Sequence, residues 1–331
     1  MSRKRRSWFR NVAEYATVRA LEYTFAAMPI RMALALGRAL GLYIRLWDKR
    51  HRTVAEANVA RSLGLGPDEA RAFVRRVYKN LGATFIEGLI IPHILRRRDL
   101  SEFTRLGGEE HLRAALDKGR GAIVVTAHMG NWELGGFATA RIAGSVLAVA
   151  RPMDNPLLDR NARRLRERMD QTIVDRSRAA LRAVLEHLRQ GGVVAMLIDQ
   201  NYRQSPVFVP FFGKLAATVP SPASIALKHD VPVVPGYGWR DGKRFFHHFR
   251  FDPPFELIRT GDHKADVVAN TAMFTRRIEE YILRHPEQWF WLHQRWRKRP
   301  PEEHQAETAP EDPAADQGIP QEPTAEPQEV S

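Results

Sequence analysis

The chain has 331 residues, 44% hydrophobic and 27% charged, an ordinary globular composition that excludes collagen, coiled coil and wholesale disorder. It holds no cysteine, which removes disulfides, thiolate nucleophiles and Cys-ligated zinc or iron–sulfur sites. Residues 1–299 carry all 51 Lys and Arg against 29 acidic residues, a net +22 that suits a polyanionic partner: anionic lipid, a phosphorylated substrate or nucleic acid.

The chain opens MSRKRRSWFR, with five positive charges in ten residues, and an apolar stretch follows from Ala20 to Trp47. Arg31, Arg38 and Arg45 interrupt it, so it is neither a signal-peptide core nor a clean span of the ~18–20 apolar residues a bilayer requires. On a helix these arginines, seven residues apart, form one stripe, and Phe25, Met28, Leu34, Leu36, Leu40 and Ile44 lie on the other surface. Pro29 kinks or divides the helix. The pattern predicts an amphipathic anchor at the interface, its arginines reaching lipid phosphate, with an ordinary core helix as the alternative. All candidate catalytic residues lie downstream, so this segment is expected to be separable from catalysis.

Helices are predicted over Arg52–Leu63, Pro67–Ile91, Glu109–Lys118, Trp132–Ala143, Pro156–Thr172, Arg178–Gln190, Pro222–His229 and Asp262–Arg284. Asn155-Pro156 and Ser221-Pro222 each place a capping side chain before a proline suited to the first helical position. Continuous apolar strands are expected at Gly121–Ala127, Ser145–Ala150, Val193–Ile198 and Val231–Pro235, with an antiparallel or edge strand at Arg244–Phe251. The alternation argues for an α/β fold, a mixed sheet flanked by helices. The segment from Pro300 to Ser331 has seven prolines, nine acids and scarcely any large apolar residue, and is expected to be disordered. Three parts result: a basic anchoring segment at 1–50, a catalytic domain at 51–299 and an acidic tail at 300–331.

The stretch Thr126-Ala-His-Met-Gly-Asn-Trp-Glu-Leu-Gly-Gly136 sits where a buried strand ends and a helix begins, the favoured place for an active site in an open α/β sheet. On one continuous helix His128 and Glu133 would stand about 140° apart. With His128 on the turn and Glu133 in the first helical turn, the carboxylate can reach back to the imidazole, and Gly130 permits such a turn. A His–carboxylate pair is the base half of a triad, and no GxSxG elbow supplies a protein nucleophile. The base would therefore act on a substrate hydroxyl or on water. A strand-end histidine held for structural reasons is the competing reading.

His-x4-Glu after a buried strand resembles the HX4D/E motif of the glycerolipid and lysophospholipid acyltransferases. The chain as a whole resembles the bacterial lipid A biosynthesis (late) acyltransferases, the lauroyl/myristoyl transferase group. The resemblance runs over nearly all of residues 12–300, through RTVAEANVARSLG, AHMGNWELGG, ARPMDNPLLD, IDQNY and VFVPFFGKLAATVPSPASIALK, and PEQWFWLHQRWRKRP is its most specific stretch. It implies transfer of a fatty acyl group from acyl-carrier protein or acyl-CoA to a hydroxyl of a membrane glycolipid, most simply a lipid A precursor, on the cytoplasmic face of the bacterial inner membrane. A phosphatidylinositol-mannoside-type or lysophospholipid acyltransferase is the alternative within the class.

The same resemblance makes His128 the general base and Glu133 its orienting partner, with oxyanion donors among the backbone N–H groups near Gly130 and Asn131. It implies substrate-binding roles for Asn131, Arg151, Arg166, Arg168 and Asp199. It implies no cofactor beyond the donor thioester, and with no HExxH or comparable metal spacing in the sequence no metal is expected. Trp289, Trp291 and Trp296 read as core or interfacial aromatics, and His247 and His248 fall on opposite faces of a strand. A nucleic-acid-binding protein or an inactive membrane-surface scaffold would account for the charge. No recognisable nucleic-acid module supports the first, and the second gives no reason for His128 and Glu133 to flank a strand–helix junction.

Overall fold

In a computed structural model, which describes residues 7–242 and 244–301, helices line both faces of a seven-stranded sheet. The acidic segment from residue 302 onward, expected to be disordered, lies outside the described residues, as does the basic start through residue 6. In chain order the helices α1 (Trp8–Ala27), α2 (Ile30–Trp47), α3 (Lys49–Leu63) and α4 (Pro67–Ile94) lead to β1 (Thr104–Gly107), α5 (Glu109–Leu116) and β2 (Ala122–Thr126). Next come α6 (Trp132–Ala143), β3 (Val146–Ala150), α7 (Pro156–Glu167), β4 (Gln171–Asp175), α8 (Arg178–Arg189) and β5 (Val193–Leu197). A hairpin of β6 (Val207–Phe211) and β7 (Lys214–Thr218) precedes α9 (Ser221–His229), β8 (Val233–Arg240), β9 (His247–Phe251) and α10 (His263–Arg284).

The sheet order is β1-β9-β8-β2-β5-β3-β4. β8, β2, β5, β3 and β4 run parallel, whereas β9 pairs antiparallel with β8 and parallel with β1. The sheet is therefore mixed with a parallel centre, as the alternation of elements suggests. Because successive side chains point to opposite faces, Ile123 and Val125 join one core cluster with α4, α8, α9 and α10, while Ala122 and Val124 join another with α5 and α6.

Three expectations about elements change. The helix read as Pro156–Thr172 stops at Glu167; Asp170 adopts a left-handed conformation (φ 54°), and the β-branched run behind it becomes β4, paired with β3. Arg244–Phe251 yields a strand that is antiparallel on one side, but β1 covers its other side and forms the sheet edge. The hairpin β6–β7 was not anticipated; Phe212 and Gly213, both with positive φ, form its two-residue turn.

The N-terminal segment divides at Met28-Pro29 into α1 and α2. Helix α2 packs on α4 through Ala33, Leu34, Gly37 and Gly41, so Leu34 is buried and not outward-facing. The two backbones touch: a Cβ at Gly41 would run into the Tyr78 carbonyl, and one at Gly82 into the Gly37 carbonyl. Of the arginine stripe Arg31 is exposed, but the other two face the protein. Arg38 is half-buried beside Arg240 and Glu87, and Arg45 stands 3.7 Å from Glu56 on α3. The outward face carries Met32, Leu36, Tyr43, Leu46 and Trp47, all exposed. Among the described residues no helix is long and apolar enough to cross a membrane.

Candidate active site

The register of two neighbouring strands builds the site. β2 and β5 pair in parallel with Ala122 opposite Val193 and Thr126 opposite Leu197. Continued two residues past both carboxyl ends, that register sets His128 level with Asp199. Nδ1 of His128 lies 2.8 Å from Oδ1 of Asp199. The backbone N–H of His128 donates to Oδ2 of the same carboxylate at 2.8 Å, and the indole N–H of Trp289 donates to Oδ2 at 2.7 Å.

Asp199 is buried. Burial alone would raise its pKa, yet the His128 charge and hydrogen bond and the Trp289 N–H outweigh it and hold the carboxyl at about 2. For His128 burial pushes the pKa down, and the Asp199 charge and hydrogen bond, with a further contribution from Glu133, carry it above its ordinary value. A carboxylate on Nδ1 fixes the proton there, so Nε2 presents its lone pair outward. That nitrogen accepts a hydrogen bond from the Gln200 amide at 3.2 Å, and Trp132 stands edge-to-face to the ring with centroids 5.5 Å apart.

Glu133 does not orient His128 in this structure. Its carboxylate takes a two-pronged ion pair from Arg166, with Nε 2.9 Å from Oε2 and Nη2 2.5 Å from Oε1. The reason lies in the fold: Glu133 belongs to the first turn of α6, beside α7, while Nδ1 faces the β5 end of the sheet. Glu133 acts on His128 only as a nearby negative charge.

The other sequence-selected residues divide. Arg166 joins the site through Glu133. Asn131 is buried: its Oδ1 accepts from Leu134 N–H and caps α6, and its Nδ2 donates to Glu87, so it shapes the turn instead of facing solvent. Gly130 has φ 58°, and a Cβ there would lie 2.5 Å from the Gly238 carbonyl, so glycine is required. Its N–H donates to the Gln288 carbonyl at 3.1 Å, which removes it from the oxyanion donors. Arg151 is exposed and paired with Asp154, and Arg168, about 200° around α7 from Arg166, is exposed on the opposite side.

Much of the supporting shell carries no signal in the sequence. The segment Pro286–Trp296 wraps the turn that carries His128: Met129 and Trp289 form a bridge, Phe290 N–H donates to the His128 carbonyl, and Asn58 on α3 donates to the Trp291 and His293 carbonyls. Asn201 N–H donates to Nε2 of His293, whose pKa burial lowers to about 4. Beneath the turn, buried Arg240 reaches Glu87, Asn80 and Thr84, while Gln288 clamps the Arg240 backbone from both sides. Among the described residues, no group of His, Asp and Glu gathers as a metal cluster would.

A histidine base with a buried carboxylate on one nitrogen and an open face on the other can deprotonate a hydroxyl. Comparison of the whole chain with known proteins specifies the class. Residues 3–298 match the family model described as bacterial lipid A biosynthesis acyltransferase. The chain belongs to this family. It is 29% identical over 281 residues to the lipid A biosynthesis lauroyltransferase of Escherichia coli K12, covering 82% of this chain and 88% of that protein. It is 27% identical over 286 residues to the lipid A biosynthesis palmitoleoyltransferase of the same strain, covering 84% and 89%. A phosphatidylinositol mannoside acyltransferase of Mycobacterium tuberculosis is 26% identical over 244 residues, covering 72% and 75%. The protein is an acyltransferase of lipid A biosynthesis type, and His128 stands in the strand–helix turn of its HX4E motif with Asp199 reaching it from the end of β5.

Proposed function

We propose that this acyltransferase moves a fatty acyl group from an acyl-carrier-protein or CoA thioester to a hydroxyl of a lipid A precursor, with His128 as general base and Asp199 as its orienting partner. The observation that carries this reading is the 2.8 Å approach of Nδ1 to a carboxylate that is itself held by two N–H donors, with Nε2 turned outward. His128 takes the proton of the acceptor hydroxyl as its oxygen attacks the thioester carbonyl. The tetrahedral intermediate expels the thiolate, which recovers that proton from the imidazolium. Arg166 and Glu133 hold the adjoining faces of α6 and α7 together and leave one negative charge near the ring.

The acceptor is amphiphilic, and the outward face of α2 suits an interfacial position on the cytoplasmic leaflet of the inner membrane. Met32, Leu36, Tyr43, Leu46 and Trp47 would enter the acyl boundary while the basic body faces anionic lipid. Because α2 contributes Ala33, Leu34, Gly37 and Gly41 to the packing on α4, deleting residues 1–49 would strip a core face, and a loss of folding and activity is expected where the sequence suggested a separable anchor.

The test incubates the purified chain with lauroyl-acyl carrier protein or lauroyl-CoA and, separately, a lipid A precursor or a mannosylated phosphatidylinositol, with products identified by mass spectrometry. An acylated lipid A precursor, lost in His128→Ala, supports the reading. Acylation of the mannoside alone would move the acceptor to the mycobacterial type, and unchanged turnover in His128→Ala would refute the base. For the membrane position, exchanging Met32, Leu36 and Trp47 for serine should release the protein from anionic vesicles in high salt without altering its melting temperature.

A further inference from the structure

The Gln200 amide caps the base. With the Nδ1 proton committed to Asp199, Nε2 of His128 can only accept, so the amide NH2 of Gln200 faces it at 3.2 Å, at the long end of hydrogen-bond range. The backbone beneath that amide is pinned. Asp199 receives three donors, the Gln200 carbonyl accepts from Nη1 of buried Arg295 at 3.3 Å, and Asn201 is held by His293 through its N–H and by the Lys298 N–H through its Oδ1. A fixed Cα thus carries a half-buried side chain whose amide makes one long hydrogen bond.

Three backbone donors beside the base are already committed. His128 N–H goes to Asp199, Met129 N–H to the Ala127 carbonyl and Gly130 N–H to the Gln288 carbonyl. With these three committed, the charge that develops on a thioester carbonyl oxygen beside Nε2 must be met by other donors, either the first N–H groups of α6 from Asn131 onward or a side chain already at Nε2. The Gln200 amide is already beside Nε2 and carries two N–H groups.

We propose that Gln200 is a further catalytic residue: its carboxamide caps Nε2 of His128 until the acceptor hydroxyl displaces it, and then donates to the oxyanion of the tetrahedral intermediate. In the forward step the hydroxyl proton passes to Nε2, the hydroxyl oxygen bonds the thioester carbon, and the carbonyl electron pair moves onto oxygen, where the amide N–H meets it. On collapse the C–S bond breaks, the thiolate takes the proton from His128, and the amide returns to Nε2 as the ester leaves. Displacement of the cap by a hydroxyl, while bulk water must compete with the same amide, would also favour transfer over hydrolysis of the donor.

The proposal rests on the reading of His128 as the base, and the test separates the two. Gln200→Leu, the isosteric Gln200→Glu and His128→Ala are assayed as full chains with lauroyl-CoA or lauroyl-acyl carrier protein and detergent-dispersed lipid A precursor. The His128 titration is followed by NMR, and thermal melts check folding. Loss of one oxyanion donor costs on the order of 10²–10³-fold in kcat. Gln200→Leu and Gln200→Glu should each lose about 10²-fold in kcat without a rise in acceptor KM, and Leu should leave the His128 pKa above its ordinary value. A near-wild-type kcat in either variant, or a loss expressed only in KM, overturns the proposal while an inactive His128→Ala keeps the base assignment. An active His128→Ala overturns both.

Discussion

Replacing Asp199 with asparagine isolates what its carboxylate does. Oδ2 accepts two N–H donors, from the His128 backbone and the Trp289 indole, so the single oxygen of an asparagine must take that position. Its NH2 then faces Nδ1 of His128, where Oδ1 now lies at 2.8 Å. An amide N–H pointed at Nδ1 demands a lone pair there, and the ring proton moves to Nε2. The base would present a proton to the acceptor hydroxyl. In serine-protease triads the equivalent exchange, with geometry preserved and tautomer wrong, lowers kcat about 10⁴-fold, or ~5.4 kcal/mol of transition-state stabilisation. A loss of that order is expected in a steady-state acyl-transfer assay. The pH profile supplies a second readout. In the wild type the Asp199 charge holds the His128 pKa above its ordinary value, so kcat/KM should fall on the acid side above the usual imidazole range. In the variant burial is opposed only by Glu133, and the acid limb of the residual activity should move to lower pH. A rate within tenfold of wild type, or an unmoved acid limb, would refute the assignment of Asp199.

Glu133→Gln should lose only about tenfold in kcat, less than Asp199→Asn, because it removes a nearby charge that makes no hydrogen bond to the ring and unpairs Arg166; a second change, Arg166→Met, should recover melting temperature but not activity. Gly82→Ala places a methyl against the Gly37 carbonyl and the Gly41 backbone, and overpacking of this kind costs roughly 1–3 kcal/mol, read as a lower melting temperature. Acid should destabilise the fold through His247, whose pKa burial lowers to about 4. Between pH 6.5 and 4 the unfolded chain binds a proton that the folded chain refuses, so stability should rise with pH across that window, and His247→Leu should flatten the slope of a melting-temperature series.

The parallel centre of the sheet and most of its helices were legible because their signals are local: continuous apolar strands, proline and capping pairs, helical periodicity. The short β1, the strand β4 behind a left-handed Asp170 and the hairpin β6–β7 were not, since pairing partners decide them and pairing is not local. The catalytic site divides along the same line. His128 was legible from its place at a strand end, and five residues' separation made Glu133 the natural carboxylate to join to it. The register of β2 against β5 joins it instead to Asp199, 71 residues away, and sequence spacing carries no trace of that register. The one available sign was that both residues lie two positions beyond the end of an apolar strand, so that adjacency of those strands would make them neighbours. The terminal PEQWFWLHQRW stretch was legible as specific but not as structural. Its specificity has a physical source in the structure: Gln288, Trp289, Phe290, His293 and Arg295 each spend a backbone or side-chain hydrogen bond on the turn that carries His128 or on the loop that carries Asp199. A segment that must satisfy two loops at once tolerates little substitution, whereas HX4E constrains only one. The segment remote from His128 in sequence is thus tied to both loops of the candidate site, and the motif that contains His128 to one of them.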